Sequence, residues 1–178
     1  MKTFTPIIPT DLLGNIDDDI LVLAEEVCIK SATLTGGHNI FTIEAIKELL
    51  RTINSYYSNK IESQGTHPID IDRAMKEDFF DDAKKKNLQI LSLQHIEVQK
   101  FVEEYFIKNK SLTPFSEEFI KSIHNNFYSS RDMEVFLNIK QNDKYIQMRA
   151  GEFRDKDVYI AKHIAPEYQH IESLINQF

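Results

Sequence analysis

Beyond an opening stretch that holds Pro6, Pro9 and Gly14 and reads as an extended surface arm, apolar positions recur every three or four residues. Ile20, Leu21, Leu23, Ala24, Val27 and Cys28 form the broad apolar face of a first helix. Asp17-Asp18-Asp19 opens it, because carboxylates there satisfy free N–H groups and suit the positive end of the helix dipole, and Gly36-Gly37 ends it. A second helix is predicted from about Thr42, with Ile43, Ile46, Leu49, Leu50, Ile53, Tyr57 and Ile61 turned inward. It breaks near Gln64-Gly65, before His67-Pro68, where a proline pushes its predecessor away from helical geometry. Asp70 is placed to cap a short third helix running through Phe79-Phe80. A fourth spans 83 to 109 and buries Leu88, Leu91, Ile96, Phe101, Val102, Tyr105 and Phe106.

Thr113-Pro114 reads as the start of a fifth helix, whose stripe is Phe115, Phe119, Ile120, Ile123 and Phe127. After Arg131 the period shortens. Glu134 to Ile139 and Lys144 to Met148 alternate loosely about the turn Gln141-Asn142-Asp143, and Asp157-Val158-Tyr159-Ile160 is a third short β-like piece. Pro166-Glu167 opens a last amphipathic stretch carrying Ile171, Leu174 and Ile175. The expected fold is mainly α, a bundle of about five to six helices with one small β-hairpin near the C-terminus.

Composition narrows the classes of function. The 178 residues are 42% hydrophobic, with 12 Phe and 7 Tyr, which is enough for a core without covalent staples. The single cysteine excludes an internal disulfide and points to the reducing cytoplasm. No apolar run reaches the roughly 18 residues that suggest a membrane span, and the first residues lack the apolar stretch of a signal peptide. A net charge of −7 argues against nucleic acid as a partner, since Lys84-Lys85-Lys86 directly follows Asp81-Asp82.

Five glycines, at 14, 36, 37, 65 and 151, cannot assemble a Gly-x-Gly-x-x-Gly turn or a P-loop. The six histidines show no helical zinc-protease spacing, so no metal site is expected. Cys28 is expected to be a buried, inert thiol, and paired carboxylates at 17–19 and 81–82 are explained by helix capping. His124, just after Ile123, is either a buried structural histidine or a site residue.

Ser58 and Glu62 are four residues apart and so share one helix face. A carboxylate at a helix C-terminus meets the negative end of the dipole and is disfavoured by about 0.3–1 kcal/mol unless a cation answers it. By spacing alone Glu62 is a solvated side chain at a frayed end. The run Ser58-Asn59-Lys60-Ile61-Glu62-Ser63-Gln64-Gly65-Thr66, however, resembles the inhibitory helix of Fic-family proteins, whose pattern is Ser or Thr, three residues, Glu, then Gly or Asn. Ser63 departs from it. A second stretch, Gly151-Glu152-Phe153-Arg154-Asp155-Lys156-Asp157-Val158-Tyr159-Ile160 with Pro166 beyond, resembles the Fic flap, and Ile120 to His124 is similar to the helix that opens the Fic fold.

The resemblance implies a protein adenylyltransferase that moves AMP from ATP to a hydroxyl of a target protein. Its motif, His-Pro-Phe-x-Asp/Glu-Gly-Asn-Gly-Arg-x-x-Arg, supplies a general base, a phosphate and Mg²⁺ cradle and an arginine for the γ-phosphate. That motif is absent here, and His67-Pro68 is not a displaced copy of it. The resemblance therefore implies a chain cut before the catalytic loop: residues 1–110 as a regulatory helical region with an inhibitory helix at about 42–63, and 111–178 as the first part of a Fic fold with a flap hairpin at about 144–160. It implies no catalytic residue, cofactor or metal in this chain, with ATP and Mg²⁺ serving the parent. Ser58 and Glu62 become inhibitory residues, and Arg149, Gly151, Phe153, Arg154, Val158 and Ile160 the flap that docks a protein substrate. An ordinary surface hairpin is the plainer view of that segment. The alternative function is a non-catalytic helical binding module, complete as it stands, and an oligomer is compatible with either.

Overall fold

The computed structural model describes residues 16–109, 113–141, 144–160 and 163–177. It is mainly α, with a small antiparallel hairpin near the C-terminus. The chain groups into two compact units, Met1–Leu50 and Arg51–Phe178.

In the first unit, α1 (Asp18–Gly36) begins as the acidic triplet predicts: the Asp17 carboxylate accepts the Asp19 N–H at 3.3 Å. α2 (Ile40–Ile61) begins two residues earlier than expected, because the Asn39 side chain accepts the Phe41 N–H at 2.9 Å. The expected burial of the α1 face is not found. No residue of α1 is buried, Leu23 and Val27 are exposed, and Cys28 is an exposed free thiol rather than a core one. Periodicity identifies the side of a helix that can be covered, and it does not supply the cover.

The second unit has a core of Ile71, Ala74, Leu91, Ile96, Val98, Phe119 and Met133. α3 (Pro68–Ala74) starts on its proline, not on an Asp70 cap, and ends well short of Phe79-Phe80. Proline costs nothing at that position because its missing N–H has no helical partner there. α4 (Ala83–Lys108) follows, capped by Asp82, which accepts the Lys85 N–H at 2.9 Å. Its Leu91 and Ile96 are buried as expected, and it packs against α3 and α5. α5 (Glu117–Tyr128) starts after Ser116, whose hydroxyl accepts the Phe119 N–H at 3.3 Å. Thr113-Pro114 instead forms a turn closed by the Ser116 N–H on the Thr113 carbonyl at 3.1 Å, and Phe115 is exposed. Ser116 wins because its hydroxyl supplies the cap that Thr113 would have to supply from further out.

The face that α2 buries in this unit is polar. Arg51, Thr52, Ser55 and Asn59 are buried, whereas Tyr57 and Ile61, expected inside, are exposed, Ile61 at 80%. Arg51 makes a two-pronged ion pair with Glu103 of α4, at 2.6 and 3.2 Å. The Ser55 hydroxyl donates to the Ser92 carbonyl at 2.8 Å, and Asn59 reaches both serine hydroxyls at 3.4 Å. Hydrogen-bond complementarity between α2 and α4 has overridden the apolar spacing.

Beyond α5, a 3₁₀ segment (Arg131–Leu137) buries Met133 fully and takes up Glu134 to Leu137, where a strand was expected. β1 (Asn138–Gln141) and β2 (Lys144–Gln147) then pair antiparallel, with Ile139 opposite Ile146. The hairpin thus sits about the Gln141-Asn142-Asp143 turn as the spacing predicts, with Asn142 and Asp143 themselves outside the described residues, whereas the resemblance implied 144–160. β3 (Tyr159–Ile160) pairs forward with β4 (His163–Ile164), and a short 3₁₀ turn leads into α6 (Ile171–Gln177). The boundary expected at 110 falls between α4 and α5, which pack together within one unit.

Candidate functional site

Two features of the second unit carry the residues singled out by the sequence. The first is the end of α2. Ser58 and Glu62 are both exposed, and Glu62 is the first residue past the helix. The backbone that follows is tightly specified: the Ser63 N–H donates to the Lys60 carbonyl at 3.0 Å and the Gln64 N–H to the Asn59 carbonyl at 2.8 Å, with Ser63 at φ +58°. These two bonds and one left-handed residue make a Schellman cap. Gly65 then returns so close to the helix that a Cβ would lie 2.9 Å from the Lys60 Cα. The end is therefore not frayed: it fixes the backbone of Glu62, whose exposed side chain no cation partners among the described residues. Lys60 does not serve, since its ammonium bonds the Tyr56 hydroxyl at 3.1 Å, an interaction that raises its pKa.

The second feature is the segment 148–158, which leaves β2 and folds over α5. The Met148 N–H extends the hairpin ladder to the Leu137 carbonyl at 2.8 Å. Gly151 then adopts φ +74°, and a Cβ there would lie 2.9 Å from the Asn125 Cβ. Conformation and close approach both demand glycine at this point. Its N–H donates to the His124 Nδ1 at 2.8 Å, which places the proton of the neutral ring on Nε2. Burial lowers the His124 pKa, so the ring stays neutral at pH 7. His124 is half-buried, anchors the loop as a structural histidine, and lines a cavity of about 360 Å³.

That cavity gathers most of the flap residues. Arg149, Phe153, Arg154 and Val158 line it, as do Ile139, Ile146 and Met148 from the hairpin and Ile171 from α6. Gly151 lies beside it, the Ile160 side chain is outside the described set, and Ser58 and Glu62 are not part of its wall. Arg149 is held by Glu152 at 3.0 Å and Asp155 at 3.1 Å. Arg154 donates to the carbonyls of Lys156 and Pro166 and lies 3.6 Å from the Asp157 carboxylate, which itself accepts the Tyr168 N–H at 2.9 Å. Arg154 therefore ties the loop to the segment before α6. The Lys121 ammonium sits 4.2 Å from the centre of the Phe153 ring. Lys121, Glu152 and Asp155 were not singled out by sequence, because their roles depend on a loop conformation that no periodicity encodes.

The walls are mainly apolar, and Arg149 is already paired with Glu152 and Asp155. Among the described residues no group of three or more His, Cys, Asp or Glu side chains is placed to hold a metal ion, and no helix is long and apolar enough to cross a membrane. What the arrangement offers is a strand edge with no strand partner among the described residues, an apolar pocket lined in part by that strand, and an exposed carboxylate on a capped helix end. No family model, no curated protein and no solved structure matches this chain.

Proposed function

We propose that this chain is the regulatory and target-docking part of a Fic-type protein adenylyltransferase, which transfers AMP from ATP to a hydroxyl of a target protein in the cytoplasm. The observation that supports this most is the end of α2. The family pattern puts Gly or Asn directly after the inhibitory glutamate, and that position, Ser63, adopts φ +58°, the backbone region that glycine and asparagine enter most readily. The motif and the geometry are independent, and they coincide on one residue.

In this reading Glu62 is an autoinhibitory carboxylate. It pairs with the final arginine of the catalytic motif and so occupies the place of the γ-phosphate, and ATP is bound without a productive pose. ATP and Mg²⁺ are held by that motif, which this sequence does not contain. Ser58, one turn earlier on the same face, supports the glutamate. The edge of β2 and the loop that follows bind an extended target segment through main-chain hydrogen bonds, which give affinity without depending on target side chains.

The test uses a protein that carries this sequence together with the catalytic motif. Glu62→Gly should raise ATP-dependent AMP labelling at least tenfold, because the γ-phosphate pose is restored. Labelling that does not change in that variant would sink the inhibitory role.

The second reading, a non-catalytic binding module, draws on the exposed apolar residues of α1. It requires that the gene lack a Gly-Asn-Gly-Arg segment in frame, which sequencing decides.

A further inference from the structure

We infer that the cavity beneath the 148–158 loop is a side-chain pocket that selects target segments presenting a large apolar residue next to an acidic one. For the partner being a protein strand, this rests on the flap reading above. About 150 Å³ of apolar cavity is enough to bind benzene, so about 360 Å³ accommodates a Phe or Leu side chain with room to spare. Ile139, Ile146, Met148, Phe153, Val158 and Ile171 supply its apolar wall.

Three observations choose the occupant. The sheet order is β1-β2, so the outer edge of β2 has no strand partner among the described residues, and Ile146 and Gln147 of that strand line the cavity. A segment added to that edge sends alternate side chains to one face, which favours an extended polypeptide over a free small molecule. The second observation is charge. Arg149 is neutralised by Glu152 and Asp155, and Arg154 by Asp157 and two carbonyls. Lys156 lines the cavity with no partner for its ammonium among the described residues, so one cation at the wall is left unanswered, although the two carboxylates on Arg149 bring the local charge to zero. A carboxylate adjacent to the anchoring residue answers it. The third is rigidity. The loop is pinned by the Gly151 N–H on His124 and by Arg154 on the Pro166 carbonyl, so the pocket is formed before binding.

The experiment titrates the ¹⁵N-labelled chain with acetylated, amidated hexapeptides on one scaffold, Ser-Gly-Phe-Asp-Gly-Ser, with Ala replacing Phe or Lys replacing Asp. The Phe-Asp peptide should shift the amides of Met148 to Val158, with affinity on the order of millimolar. The Ala version should bind at least tenfold more weakly, and the Lys version about threefold more weakly, as befits an exposed charge pair. Lys156→Glu, an exposed site that leaves the fold intact, should invert the Asp-over-Lys preference. Val158→Trp should fill the cavity and abolish binding. Absent shifts, shifts elsewhere, a preference unmoved by Lys156→Glu, or equal binding of phenylacetate alone would each overturn the pocket. Peptide selection in a protein whose labelling ignores Glu62→Gly removes the Fic reading and leaves the pocket. Labelling raised by Glu62→Gly without peptide selection removes the pocket alone.

Discussion

At the scale of single residues, two non-glycine positions among the described residues carry positive φ, Ser63 at 58° and Glu77 at 61°, and both close Schellman caps. At Glu77 the same pair of bonds recurs, from Glu77 N–H to the Ala74 carbonyl at 2.9 Å and from Asp78 N–H to the Arg73 carbonyl at 3.0 Å. A side chain in the left-handed region costs about 1–2 kcal/mol, and glycine avoids that cost while adding entropy to the unfolded chain. Ser63→Gly should therefore stabilise the second unit by roughly 0.5–1 kcal/mol, read as a higher urea midpoint at unchanged slope. A neutral or lower midpoint would mean that the serine hydroxyl contributes something the geometry does not reveal. The sequence made Ser63 visible only as a departure from a family pattern. The structure gives that departure its physical content, because the pattern is a backbone requirement that serine meets at a cost.

At the scale of elements, the join between helices depends on polar groups more than the spacing of apolar residues suggested. Gln89 is completely buried on α4. Its amide nitrogen donates to the carbonyls of Asp70 at 2.9 Å and Asp78 at 3.3 Å, and its oxygen accepts the Phe80 N–H at 2.9 Å. One side chain thus ties both α3 and the loop after it to α4. Gln89→Leu keeps the volume and strands three backbone groups, so it should cost roughly 2–4 kcal/mol in chemical denaturation. Ile61→Ser, at an apolar position the helical period marked as core, should cost under about 0.5 kcal/mol. The reverse order would show that the apolar spacing, and not the hydrogen bonds, describes this interface. The contrast marks where sequence reading stops. Helix existence, the α4 stripe through Leu91 and Ile96, and the hairpin around Gln141 were legible because periodicity and turn chemistry are local. Polar burial was not, since Gln89 acquires its three partners only after the chain has folded back. The candidate site divides in the same way: Gly151 and Arg154 stood out by pattern, while the ion pairs that fix Arg149 and the cavity itself required the fold.

At the scale of the whole molecule, two histidines make the stability of the second unit depend on pH with a definite sign. His95 accepts at Nδ1 from the Gln99 amide at 3.0 Å, and His124 accepts at Nδ1 from the Gly151 N–H at 2.8 Å. Burial lowers both pKa values, and protonation would also set an N–H against each donor. The folded state therefore holds both rings neutral below the point, about pH 6.5, at which an unfolded chain takes up protons. Because the unfolded state binds more protons in that interval, stability is fully present above about pH 6.5 and is lost as the pH falls through it towards the lowered folded values. Asp78, whose pKa is lowered by its bond to Arg73, acts in the same direction, but only below the usual carboxylate range, so it does not contaminate the interval. The urea midpoint should fall between pH 7.5 and pH 5.5, and His124→Gln, whose side chain can still accept from Gly151, should flatten part of that fall. His95→Gln together with it should remove most of what is left. A midpoint constant across the interval, or one that rises on acidification, would mean that these rings are protonated in the folded protein. The Gly151 hold on His124 would then have to be abandoned, and the preformed pocket argued from it would go too.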